Sequence, residues 1–114
     1  APSGVEFTKP LHNFQAHVAP LGCHFPKSEA LKKAFPSQVL VAQHGSWNRS
    51  TPVGYRVVTV NLDKPEEPAE PLLWGFLNQD GTYSGRPVDI LELPDGKILV
   101  SDDYKDVIWS VTKL

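Results

Sequence analysis

Methionine is absent from this sequence, cysteine occurs once, and lysine and arginine never cluster. The single Cys23 rules out an internal disulfide. Beside Leu21 and Phe25 it is expected as a small buried apolar residue rather than a reactive thiol. Lys32-Lys33 is the only adjacent basic pair and the formal net charge is −2, so no nucleic-acid partner is expected. No apolar run approaches the roughly 20 residues that a membrane span needs, and no membrane partner is expected either. The start, Ala1-Pro2-Ser3-Gly4, has neither the charged nor the apolar region of a signal peptide. With no Met, a chain processed or cut from something longer is expected. His12, His17, His24 and His44 lack zinc-ligand spacing, and Cys23-His24 is not a zinc motif. No Ser-His-Asp order, phosphate loop or redox cysteine pair is present, and no metal site is expected.

What is abundant is punctuation. Eleven prolines and eight glycines in 114 residues predict many short elements joined by turns, within one small domain. Val39 to Ala42 is short, apolar and β-branched. Tyr55 to Leu62 alternates apolar and polar residues, the period of a half-buried strand. Pro94-Asp95-Gly96 is a turn signal that joins Val88–Leu93 to Lys97–Val100 as an antiparallel hairpin. Val107 to Val111 is a further strand. The one helical candidate runs from Ser28 to Phe35, with Ser28 as N-cap. Lys64 to Pro71 is expected as an exposed loop.

These elements repeat. Ala19–Gly22, Val39–Val41 and Tyr55–Leu62, with Leu72–Leu77 as a fourth and outer strand, form one series. Arg86–Asp89, Ile98–Val100 and Val107–Val111 form a second series that stops one strand short. Four-stranded sheets at this spacing are blades of a β-propeller. The fold class is therefore all-β. Residues 1–14 form an N-terminal segment or strand, 15–80 a first blade and 81–114 a second, incomplete blade. A propeller needs at least about four blades to close. The chain is thus either part of one or a two-blade unit that self-associates, with Val5 to Phe14 available as a closing strand.

In an antiparallel meander, the start of the first strand and the end of the second lie at one edge. That brings Gln15–Val18, His44–Arg49, Gly85-Arg86 and Asp102-Asp103 to a shared face. His44-Gly45-Ser46-Trp47-Asn48-Arg49 puts an imidazole, an indole, an amide and a guanidinium there, suited to polar, planar or anionic ligands. Each has a plainer reading. Arg86, between Gly85 and Pro87, either contacts an anionic ligand or forms a salt bridge to Asp89 or Asp102. Asn48 and Arg49 either bind ligand or tie down a long loop. His44 is a ligand contact, a proton carrier or a satisfied strand-end histidine. Trp47 either stacks on a sugar ring or packs in the core or between blades. Asp102-Asp103 is read as a turn that bonds its own backbone, because a calcium site needs six or more oxygens. Asn48-Arg49-Ser50 is also a glycosylation sequon.

Ala19–Gly22, His44–Ser50, Gly54-Tyr55, Gly85–Asp89, Leu93–Gly96 and Leu99–Asp103 resemble the C-terminal part of sorbosone dehydrogenase-like proteins, which group with the soluble PQQ-dependent glucose dehydrogenases. The resemblance implies a six-bladed propeller that oxidises aldoses or related sugars with pyrroloquinoline quinone (PQQ), beside calcium in the complete fold. It implies an extracellular or periplasmic location. It places Arg86 against the quinone's carboxylates, and His44, Asn48 and Arg49 around the cofactor pocket. The family's catalytic histidine and most of its calcium ligands lie in earlier blades, and nothing here matches them. The catalytic residue is therefore unassigned, with His44 the only candidate.

Two function classes follow. In one, the chain supplies one side of the quinone pocket of a PQQ-dependent sugar dehydrogenase and is inactive alone. In the other, it is a non-catalytic blade module that oligomerises and binds carbohydrate or protein. The paired arginines favour the first.

Overall fold

The β-branched and alternating segments become two antiparallel meanders. The computed structural model describes residues 2–112. Its first sheet holds β1 (Pro20–His24), β2 (Gln38–Gln43), β3 (Arg56–Asn61) and β4 (Glu70–Leu73) in chain order. Its second holds β5 (Pro87–Glu92), β6 (Ile98–Asp102) and β7 (Val107–Val111). A short helix, α1 (Glu29–Ala34), interrupts the β1–β2 connection. Ser28 caps it as expected, its Oγ accepting the Leu31 N–H at 3.1 Å. The Pro94-Asp95-Gly96 turn closes with the Leu93 N–H donating to the Lys97 carbonyl at 2.8 Å.

The sheets repeat down to their irregularities. Each first strand begins with a proline, and register shifts between Pro20 and Cys23 in one and between Pro87 and Ile90 in the other. Each proline pairs with the last residue of the second strand, Gln43 or Asp102, and both of those polar residues are buried. His44 and Asp103 therefore occupy equivalent positions.

The core lies between the sheets. Leu40, Ala42 and Val57 pack with Ile90, Ile98 and Val100, and α1 adds Leu31. The Leu, Val and Ile side chains among these contribute roughly 1.5–3 kcal/mol each when fully buried. A side chain at Gly22 would collide with Asp89, so glycine there lets β5 approach β1 closely. On the other face of the first sheet, Val39, Val41, Val58 and Val60 are joined by Phe14, Leu62 and Ala69. Residues 5–14 form no strand. Phe14 packs against that face instead, and a His12 ring nitrogen bonds the Pro65 carbonyl at 2.7 Å.

Three expectations are corrected. Cys23 is exposed, not buried. Gly22 and His24 face the second sheet, so Leu21, Cys23 and Phe25 alternate to the far side, where nothing among the described residues covers them. The fourth strand is Glu70–Leu73 rather than Leu72–Leu77, because Gly75 at φ +105° turns the chain out of the sheet and leaves Trp74 exposed. The loop starting at Lys64 accordingly gives Glu70 and Pro71 to β4. On the outer face of the second sheet, Leu91 and Ile108 are exposed, and β7 has no strand on its far side among the described residues.

Candidate functional site

The exits of β2 and β6 and the entries of β1 and β5 meet at one end, as the meander requires. The His44 and Gly45 N–H groups each donate to the segment before β1, at the carbonyls of Ala19 and Val18, both at 2.9 Å. The loop from Gly45 to Tyr55 is braced inside. The Ser46 N–H donates to the Val53 carbonyl, Ser46 Oγ accepts the Val53 N–H, and the buried Tyr55 hydroxyl donates to the Ser46 carbonyl. Gly45 has φ +103°, and a Cβ there would strike the Tyr55 ring at 2.6 Å. Only glycine allows this turn over the ring.

Arg86 joins the two sheets. Its Nε donates to the His44 carbonyl at 3.1 Å and Nη2 to the Gly45 carbonyl at 2.8 Å. Its guanidinium carbon lies 5.4 Å from the ring centres of both Tyr55 and Tyr83. Those rings stack on each other at 4.7 Å, and Tyr83 meets Tyr104 edge-on at 4.9 Å. No carboxylate among the described residues forms an ion pair with Arg86. The salt bridge to Asp89 or Asp102 considered from sequence is absent. Asp89 bonds the Ile90 N–H, and Asp102 takes the Arg86 backbone N–H at 2.9 Å instead of its guanidinium.

Asp102 organises the floor of the site. One oxygen accepts the Tyr104 and Lys105 N–H groups, both at 3.0 Å, which is the self-bonded turn expected from sequence. The other accepts the Arg86 N–H and the Trp109 indole N–H. His44 Nε2 lies 2.7 Å from Asp103 Oδ1. The hydrogen bond from His44 outweighs desolvation and holds the Asp103 carboxyl below its usual range. With Asp103 ionised, His44 Nε2 is the donor in this contact, which leaves Nδ1 as the other ring nitrogen.

The structure thus brings His44 and Arg86 together and leaves the other two candidates on the rim. Arg49 donates to the Thr51 carbonyl of its own loop at 2.8 Å, and Asn48 is exposed in a left-handed turn. Trp47 is 79% exposed, and His17 is exposed as well. Among the described residues no group of three or more His, Cys, Asp or Glu is placed to hold a metal. The roles of Tyr83, Tyr104 and Asp103 escaped the sequence reading. Aromatic residues in irregular loops leave no periodic signal.

A family model described as TrAA12-like matches residues 4–114. The chain belongs to the TrAA12-like family. That family covers AA12 pyrroloquinoline quinone-dependent oxidoreductase domains. The chain is 41% identical to an uncharacterized protein of Borreliella burgdorferi, over 97% of this chain and 30% of that protein. Among solved structures, it is similar to the iodide and calcium structures of the Trichoderma reesei carbohydrate-active enzyme of family AA12. Both have 27% identity and a TM-score of 0.70, covering 96% of this chain and 30% of theirs. It is also similar to the holo form of the pyranose dehydrogenase PQQ domain from Coprinopsis cinerea, with 27% identity and a TM-score of 0.63, over 82% of this chain and 26% of that one. The chain therefore spans about a third or less of each relative's length. Its two sheets are blades of the propeller type expected from sequence.

Proposed function

We propose that this TrAA12-like chain forms one wall of the quinone pocket in a PQQ-dependent oxidoreductase that acts on sugars, of the sorbosone or glucose type. The observation that carries the reading is Arg86, a cation fixed at the shared mouth of two blades with no carboxylate among the described residues paired to it. A guanidinium has five N–H donors. Two are used here, so further donors remain for a carboxylate of the cofactor, the geometry in which arginine exceeds lysine. PQQ carries three carboxylates, so the donor set fits this group.

Bound PQQ would supply the redox chemistry by accepting two electrons from the substrate carbon. The residues of this chain bind, orient and carry protons. Arg86 anchors the acidic edge. Asn48 and Arg49 stand at the rim and would meet sugar hydroxyls rather than the quinone, Arg49 being tied to its own loop. His44 takes a proton at Nδ1, and the resulting imidazolium rests against Asp103. Calcium and the remaining catalytic groups come from other blades in the complete fold, and the location is extracellular or periplasmic. The test is dye reduction by the intact protein across a panel of aldoses, with and without added PQQ. PQQ-dependent turnover of at least one aldose is expected. A folded, PQQ-loaded protein inert toward every aldose would contradict the reading.

A further inference from the structure

Arg86 is held by groups of an unusual kind. Two backbone carbonyls and two aromatic rings surround its guanidinium. All four attract a cation, and none carries a formal charge. A carboxylate would fix the side chain as firmly but would neutralise it. The ring faces instead attract the guanidinium without carrying a formal charge, and Asp103, whose carboxylate feels Arg86 through space, forms no ion pair with it. Tyr55 is committed elsewhere, since it is buried and its hydroxyl bonds Ser46. Tyr83 is half-buried, stacks on Tyr55 and is braced by Tyr104.

Resting on the reading above, we propose that Tyr83 is a positioning residue for Arg86: its ring, stacked on Tyr55, holds the guanidinium in place without neutralising it, ready for a carboxylate of the quinone. The ring faces the guanidinium, so the hydroxyl is dispensable. The same logic makes a carboxylate at position 83 the worst replacement, because it would occupy the charge.

The experiment titrates PQQ into the intact protein by fluorescence and compares wild type, Tyr83→Phe, Tyr83→Leu, and Tyr83→Leu combined with Arg86→Gln. Circular dichroism confirms folding, and Tyr83→Gln replaces the Leu variant if that one does not fold. Tyr83→Phe should bind as wild type, and Tyr83→Leu about tenfold more weakly. In the Arg86→Gln background the Leu change should add nothing, because its effect passes through Arg86. Full affinity in folded Tyr83→Leu overturns the proposal. So does a loss that persists undiminished without Arg86. Solvent exchange of the Arg86 Nε–H, read by NMR, gives a second arm that needs no quinone. It should be slow in wild type and Tyr83→Phe and fast in Tyr83→Leu. Exchange that ignores Tyr83 overturns the positioning. If exchange responds but wild type does not bind PQQ, the functional reading fails and the positioning of Arg86 stands.

Discussion

His24 Nε2 lies 2.7 Å from Glu92 Oε2, joining the end of β1 to the end of β5 across 68 residues of chain. The Glu92 carboxylate is almost fully buried and also accepts the Lys27 and Ser28 N–H groups at 2.8 and 2.6 Å. One side chain of the second blade thus holds both the strand end and the helix entry of the first. This clamp sits at the end of the blades opposite Arg86. Arg86 and Glu92 pin the same pair of sheets at both ends.

The clamp predicts an acid limb in stability. Burial would raise the Glu92 carboxyl, but the hydrogen bonds from His24, Ser28 and Lys27 outweigh it and hold it at about 2, against 4.5 for an ordinary glutamate. A depressed carboxylate stabilises the fold above its unfolded value and loses that effect as pH falls through its folded one. The contribution, on the order of 3 kcal/mol at most, should be complete above about pH 4.5 and fade toward pH 2. Urea unfolding of wild type and Glu92→Gln across this range checks it. The gap between the two should narrow with acid. A gap independent of pH would remove Glu92 from the account.

Asp102 should be structural first. It is 4% exposed and accepts four N–H groups, from Arg86, Tyr104, Lys105 and Trp109. Asp102→Ala strands these donors, and an unmade buried hydrogen bond costs about 1–3 kcal/mol. A total loss of roughly 3–5 kcal/mol is expected, with Asp102→Asn intermediate because the amide keeps one acceptor oxygen. Denaturant midpoints measure it, and a change below 1 kcal/mol in Asp102→Ala would contradict the assignment.

Residues 1–114 expressed alone should associate with copies of themselves. Leu91 and Ile108 are 60% and 68% exposed on the outer face of the second sheet, and the far edge of β7 is unpaired among the described residues. Such an edge and face attract further chain. Sedimentation velocity over a concentration series should reveal assembly. A compact monomer at every concentration would contradict it.

Much of this was legible from residues alone. A short β-branched apolar run located β2, alternation located β3, Val107 to Val111 was read as β7, Pro94-Asp95-Gly96 marked the hairpin and Ser28 the helix start, because each signal is local. The shared mouth was also legible, since meander topology forces the exits of β2 and β6 together. The Glu92 clamp and the ring bed of Arg86 were not. They depend on contacts between residues far apart in sequence, or in loops without a period. The burial of Cys23 was misjudged because an apolar neighbourhood in sequence does not say which face of β1 a second sheet will cover. Arg86 was set against the quinone's carboxylates from sequence, while Arg49 stood between ligand contact and a tie within its loop. Loop closure then turned Arg49 back to Thr51, while Arg86 stayed at the mouth.

On the function proposed above, Arg86 anchors an anionic quinone. The most direct test is titration of PQQ into the intact protein and its Arg86→Gln variant, with Arg49→Ala as comparison. Removing the charge should weaken binding by about 10²-fold, the scale of a lost charge-assisted hydrogen bond. Arg49→Ala should change it far less, since that side chain is tied to its own loop. Unchanged PQQ affinity in a folded Arg86→Gln protein would contradict the account and leave Arg86 as a tie between two blades.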